Sequence, residues 1–172
     1  MLIPSVDLQR RVTDLGREIS SEYTSEDPPI LVSILKGGVI FLSDLIRSIT
    51  VAHDIDFMAV SSYTGQNTTG VVKINMDLHA SITDRHVLIV EDIVDTGLTL
   101  HDVLENLRVR QPASIEIAAL LVKEGIQQIP IDVKYRGFDI PPDFGVGYGL
   151  EYTGVFRNLP YVSVLDPDNL PV

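Results

Sequence analysis

The chain has 172 residues, 45% of them hydrophobic and 22% charged, an ordinary globular balance with length enough for one domain and a sizeable core. Its 13 Lys and Arg stand against 24 Asp and Glu, a net charge of −11, which excludes a general nucleic-acid binder because such a surface repels a phosphate backbone. With no Cys, no basic-then-apolar start and no apolar run of membrane-spanning length, the composition predicts a cytoplasmic protein without disulfides, thiolate metal sites or a membrane partner.

Leu8, Val12, Leu15 and Ile19 recur at helical spacing, with Ser5 placed to cap the helix and Pro28-Pro29 closing that unit. Residues 30–35 read as a short apolar strand, Lys36-Gly37-Gly38 as the turn after it, and residues 39–49 as a helix. Residues 55–60 are a second strand. Residues 61–70 are polar and carry Gly and Thr, and 71–75 read as the return strand, so this stretch predicts the mobile tip of a long hairpin. Residues 87–90 are the central strand, a helix runs from 99 to 108, and Pro112 breaks the chain. Residues 115–122 form a strand ending at Lys123, 133–135 a short strand and 161–165 the last one. Between these, Pro141-Pro142 with Gly145, Gly147 and Gly149 predict an irregular segment. Strands alternating with helices imply an α/β fold, a parallel sheet with helices on both faces. There is no internal repeat and no domain-splitting linker, so residues 1–172 are expected to form one domain.

The densest chemistry lies between residues 87 and 100. Four β-prone apolar residues give way to Glu91 and Asp92, and Ile93-Val94 lead to Asp95-Thr96-Gly97-Leu98-Thr99, where a helix begins. Open α/β sheets bind ligands at such a place, outside the carboxyl end of a strand. The backbone amides of this turn and the hydroxyls of Thr96 and Thr99 suit a phosphate, and Gly97 permits close approach. Glu91 and Asp92 suit sugar hydroxyls or a hard cation such as Mg²⁺; as strand neighbours they point to opposite sides and need not share a task. Asp95 can accept a proton from a ring nitrogen or cap the helix. Lys36-Gly37-Gly38 offers unobstructed amides to an anion, or is a plain strand-to-helix turn. Lys123 can donate to a carbonyl, or is a solvated strand end. The nucleoside-triphosphate P-loop pattern is absent. His53, His79, His86 and His101 show no metal-ligand spacing and read as structural or exposed.

The run from Glu91 to Thr99 resembles the phosphoribosyl-pyrophosphate (PRPP) signature of type I phosphoribosyltransferases. Leu35-Lys36-Gly37-Gly38, Ser61-Ser62-Tyr63, Leu121-Val122-Lys123 and residues 137–160 resemble, in order, the branch that salvages 6-oxopurines, the hypoxanthine-guanine phosphoribosyltransferases. The resemblance implies a parallel-sheet type I core with a small hood and a flexible hairpin loop. It implies transfer of the 5-phosphoribosyl group from PRPP to hypoxanthine or guanine, giving IMP or GMP and pyrophosphate, with Mg²⁺ as cofactor and a homodimer or homotetramer as the assembly. By the same resemblance Glu91 and Asp92 hold the ribose hydroxyls directly or through Mg²⁺. Ile93, Val94, Asp95, Thr96, Gly97, Leu98 and Thr99 surround the ribose and 5′-phosphate, with Asp95 catalytic at N7 of the base. Lys36, Gly37, Gly38 and Arg157 bind pyrophosphate, and the peptide between Leu35 and Lys36 can be cis. Ser62 and Tyr63 begin a lid that excludes water. Lys123 reads O6, Phe144 stacks on the purine, and Gly145 and Leu150 lie beside it. Two positions depart from the family. Gly145 stands where branched apolar residues are common, which predicts a looser pocket beside the purine's 2-substituent. Glu151 replaces an Asp that binds a second Mg²⁺, one methylene longer, which predicts that Glu151 holds a weaker second-metal site, directly or through a water. The alternatives are another PRPP-using transferase, acting on xanthine or another base, and a phosphoribosyltransferase-like RNA-binding regulator, which would need a basic surface.

Overall fold

Strand residues that alternate between two apolar cores dictate the layering. In the segment His86–Val94, Leu88 and Val90 enter one core while Val87 and Ile89 enter another. A strand buried on both faces belongs inside a parallel sheet covered by helices on either side. The computed structural model describes residues 1–62, 72–143 and 145–165. Its elements are α1 (Ser5–Glu22), β1 (Ile30–Leu35), α2 (Val39–Ile46), β2 (Asp54–Ser62), β3 (Val72–Met76), β4 (His86–Val94), α3 (Leu98–Arg108), β5 (Ser114–Lys123), β6 (Tyr135–Ile140), β7 (Gly145–Val146) and β8 (Ser163–Val164).

The main sheet has six strands in the order β3-β2-β1-β4-β5-β6. All neighbours are parallel except β2 and β3, which pair antiparallel as the two arms of the expected hairpin. The tip of that hairpin, with Tyr63 and residues 65–70, lies outside the described residues. α1 and α2 cover one face, where Leu8, Leu15, Phe41 and Leu45 pack with Leu31, Leu88 and Leu120. α3 covers the other, where Leu100, Val103 and Leu107 meet Val32, Ile89 and Ile117. A small hood forms from the N-terminal residues and the β7–β8 pair, joined by the Ile3–Val162 bridge. Tyr148 ties the hood to α2, its hydroxyl donating to Asp44 Oδ2 at 2.5 Å. Among the described residues no helix is long and apolar enough to cross a membrane.

Several element ends differ from expectation. α1 is capped at Pro4, not Ser5; Pro4 is extended, its carbonyl accepts from Asp7 and Leu8 at 3.1 Å each, and no side chain caps the turn. Proline presets the φ of this entry, and its missing N–H is of no consequence there. α2 ends at Ile46, because Ser48 and Ile49 both donate to the Leu45 carbonyl and wind the last turn tightly. β4 does not stop at the first carboxylate but runs through Glu91 and Asp92 to Val94, with Glu91 opposite Ala119 and Ile93 opposite Leu121. β6 starts at Tyr135, while Ile131 and Val133 are buried beneath α3 outside any strand.

The two cores make a stability prediction. Leu88 is fully buried in the central strand whereas Val109 is 78% exposed. Leu88→Ala should lower unfolding free energy by about 2–5 kcal/mol, and Val109→Ala should stay within about 0.5 kcal/mol. Urea denaturation at constant m-value reads both; equal effects would contradict this layering.

Candidate active site

The carboxyl ends of β1, β4 and β5 meet under the hood. Beyond β4, Asp95, Thr96 and Gly97 turn the chain into α3, and Gly97 adopts φ +82° as its N-cap. A side chain at Gly97 would run into the Ile129 carbonyl. The Thr96 carbonyl accepts from the amides of Gln128 and Ile129 at 2.9 and 3.2 Å, so the 125–131 segment braces the turn from below. No side chain caps α3, which removes capping as the role of Asp95. The first amides of a helix have no partner within it, and here they border a cavity of about 270 Å³ lined by Ile34, Leu35, Gly37, Leu100 and every residue from Glu91 to Thr99 except Leu98. Leu98 is 43% exposed.

A second cavity, of about 260 Å³, adjoins the first. Gly37, Asp92, Ile93 and Asp95 line both. Lys123, Gly145, Leu150, Glu151 and Arg157 complete the second. The β4–β5 register pairs Val94 with Val122, so the next residues on each strand come side by side. There Lys123 Nζ lies 3.0 Å from Asp95 Oδ2, the lysine side chain 9% exposed and the aspartate 47%. A nearly buried ammonium needs such a partner.

The Leu35–Lys36 peptide is cis. Gly37 lies so close to the Asp92 carboxylate that a Cβ would collide with it, and Gly149, at φ +101°, is pressed as closely on the Gly37 carbonyl. Gly149 was not foreseen; a glycine two residues from another in a predicted irregular segment was its only signal. Arg157 Nη1 donates to the Gly149 carbonyl at 2.7 Å and Nη2 lies 3.1 Å from Glu151 Oε1. Lys36 itself is exposed and Gly38 is buried against Ser33, so neither lines these cavities. Ser62 ends β2, and Phe144, like Tyr63, lies outside the described residues. A Cβ on Gly145 would point at Leu150 Cδ1, 3.3 Å away, and Val162 Cγ1, 3.6 Å away. Leu150 itself lines the second cavity, so the room left by the missing side chain lies between that cavity's wall and Val162 of the hood.

Burial governs the electrostatics. Desolvation, and then the charge of Asp92, push the Glu91 carboxyl well above the usual carboxylate range. Desolvation raises Asp92 to about 6, partly offset by the backbone amides of Asp92 and Ile93 and by the Arg157 guanidinium. Among the described residues no three His, Cys, Asp or Glu converge as a metal cage. Glu91 and Asp92 do fit a cation that arrives with a phosphate ligand, since Mg²⁺ commonly takes one or two carboxylates, substrate oxygens and water. In the free protein the raised Asp92 pKa has a consequence. The folded state holds this proton to higher pH than the unfolded state, so stability falls as pH rises from about 4 through about 6. Asp92→Asn should lose the Asp92 share of that decline and be more stable at pH 7.5, on the order of 1–3 kcal/mol, with the gain shrinking as pH falls from about 6 and gone below about 4. Thermal melts across that window check it; a variant destabilised at pH 7.5 would contradict it.

The phosphoribosyl transferase domain model matches residues 6–153. A hypoxanthine-guanine phosphoribosyltransferase of Mycobacterium avium is 45% identical over 174 residues, covering 97% of this chain and 85% of that protein. The hypoxanthine phosphoribosyltransferase of Escherichia coli K12 is 43% identical, covering 95% and 93%. A crystal structure of a hypoxanthine phosphoribosyltransferase from Staphylococcus aureus superposes with a TM-score of 0.93 at 44% identity, covering 98% of this chain and 91% of that one. The chain belongs to the phosphoribosyl transferase family, in its hypoxanthine and hypoxanthine-guanine phosphoribosyltransferase branch.

Proposed function

We propose that this enzyme serves purine salvage by moving the 5-phosphoribosyl group of PRPP to N9 of hypoxanthine or guanine, giving IMP or GMP and pyrophosphate. The observation that carries the reading is the pair of adjoining cavities with Asp95 at their junction. One is bordered by a helix N-terminus and suits the ribose 5′-phosphate. The other holds Lys123 and Arg157, a donor for the base and a guanidinium for pyrophosphate.

Lys123 and Asp95 form a donor–acceptor pair 3.0 Å apart. A base that replaces this contact must present an acceptor to the ammonium and an N–H to the carboxylate. O6 and N7–H of a 6-oxopurine do so on one edge. Adenine offers an amino group to Lys123 and is rejected by donor–donor conflict. With N7–H held by Asp95, the N9 lone pair attacks C1′ as the C1′–O bond to pyrophosphate breaks. The N7 proton, made acidic by the new bond, passes to Asp95. Thr96, Thr99 and the first amides of α3 hold the 5′-phosphate, Glu91 and Asp92 the ribose side, and Gly37 and Arg157 the pyrophosphate. Mg²⁺, when bound with PRPP, supplies positive charge that stabilises the leaving pyrophosphate. Catalysis rests on positioning and charge, with no covalent enzyme intermediate. Ser62, Tyr63 and the segment after them act as the lid, Phe144 stacks on the purine, and a homodimer or homotetramer working in the cytoplasm completes the reading.

A turnover assay with PRPP and Mg²⁺ against hypoxanthine, guanine, xanthine and adenine tests this reading. Product should form with the first two and not with adenine; no product with any purine would end it. Asp95→Asn should keep the fold and lower kcat by about 10²–10⁴-fold with PRPP binding much less affected. Wild-type turnover would strip Asp95 of its catalytic role. Lys123→Ala should reduce kcat/KM for hypoxanthine by about 10- to 100-fold, the loss of a hydrogen bond from a charged donor. Equal losses for base and PRPP would mean that Lys123 does not read the base.

A further inference from the structure

Glu151 stands where the family resemblance puts a metal-binding Asp, yet both of its carboxylate oxygens are engaged within the protein. Oε1 lies 3.1 Å from Arg157 Nη2. Oε2 accepts the amide hydrogen of Gly154. Gly154 sits at φ +87° in a tight turn where Tyr152 and Val155 exchange both backbone hydrogen bonds, at 3.2 and 3.0 Å. Arg157 is held from its other side by Gly149, whose carbonyl accepts from Nη1 at 2.7 Å and whose amide donates to the Arg157 carbonyl at 3.0 Å. Gly149 rests in turn on the Gly37 carbonyl. One carboxylate thus closes the 152–155 turn and fixes a guanidinium over the second cavity. An Asp at this position would fall short by roughly one C–C bond, ~1.5 Å, and could not keep both contacts.

We propose that Glu151 is a positioning residue that holds Arg157 over the pyrophosphate end of the cavity, in place of ligating a second metal ion. The proposal rests on the phosphoribosyl-transfer reading, which supplies the pyrophosphate. The added methylene is a poor choice for Mg²⁺, which demands near-ideal geometry at about 2.0–2.1 Å, and is the length the double contact requires. A guanidinium already locked in place loses less freedom when the anion arrives. The metal that accompanies PRPP is then left to Glu91, Asp92 and the phosphate oxygens.

Glu151→Asp separates the two roles, because it preserves the charge and shortens the reach. Wild type and variant are titrated with inorganic pyrophosphate by calorimetry, in EDTA and again with Mg²⁺. Exchange of the Gly154 amide is followed by NMR without ligand. The brace predicts that Glu151→Asp weakens pyrophosphate binding roughly tenfold or more in EDTA, by a similar factor with Mg²⁺, and accelerates Gly154 exchange. It also predicts that Arg157→Lys weakens binding and that the double variant loses much less than the sum. Unchanged binding in EDTA, tighter binding with Mg²⁺ and unchanged Gly154 exchange would overturn it in favour of a metal ligand. Should the wild type bind no pyrophosphate under either condition, the phosphoribosyl-transfer reading fails, while Gly154 exchange in Glu151→Asp still decides whether the brace exists.

Discussion

The 3.0 Å contact between Lys123 and Asp95 is the constraint around which this site is built. It lies one residue beyond Val94 and Val122, the last pair of the parallel β4–β5 ladder. Neither residue chooses its partner; the ladder does. The ladder is held in turn by the two cores, since Val90 and Ala118 pack toward α1 and α2 while Ile89 and Ile117 pack toward α3. A one-residue slip would exchange those faces and would set Lys123 beside a different residue. Ordinary apolar packing over the length of two strands therefore positions a carboxylate and an ammonium at hydrogen-bonding distance, with the carboxylate at the junction of two cavities.

The same strand carries the site's liability. β4 continues in register through Glu91 and Asp92, so two adjacent carboxyls are drawn from water and both are pushed upward, chiefly by burial. A fold selected for stability alone would not place acids there. Their partners are few: the amide of Ile93 donates to Asp92 at 3.0 Å, and Arg157 lends positive charge. Glycine makes the arrangement sterically possible, because Gly37 leaves space for the Asp92 carboxylate and Gly149 leaves space for the Gly37 carbonyl. The 36–38 turn, central strand and hood are thus in close contact through Gly37 and Gly149, and a change at one is felt by the others.

Much of this was legible in the residues. β1, β4, α3 and β5 announce themselves through apolar runs of the right period, and the turn from Asp95 to Thr99 is conspicuous because a helix begins there. Position 123 stood out as a lone Lys at the end of an apolar strand. The rest was hidden for physical reasons. Carboxylates inside a strand look like its end, so the last part of β4 was read as loop. Val133 carries a strand-like side chain but is buried beneath α3, and the β6 ladder begins two residues later, opposite Ala118. The Lys123–Asp95 contact spans 28 residues and depends on register, which no local pattern encodes. The engagement of Glu151 by Arg157 and Gly154 is local in sequence, but it depends on the 152–155 turn folding the chain back on itself, which the residue types alone do not announce.

The central claim is that Asp95 and Lys123 together read the O6 and N7–H edge of the base. Comparing turnover of hypoxanthine with that of 7-deazahypoxanthine, at saturating PRPP and Mg²⁺, tests it most directly, because the analogue keeps the carbonyl and replaces N7–H by C–H. Hypoxanthine should give its nucleotide and the analogue should be essentially inert, since it offers Asp95 no acidic proton and carries no free N9 lone pair. Comparable turnover of the two would contradict the account, for N9–C1′ bond formation would then proceed without the contact that Asp95 is positioned to make.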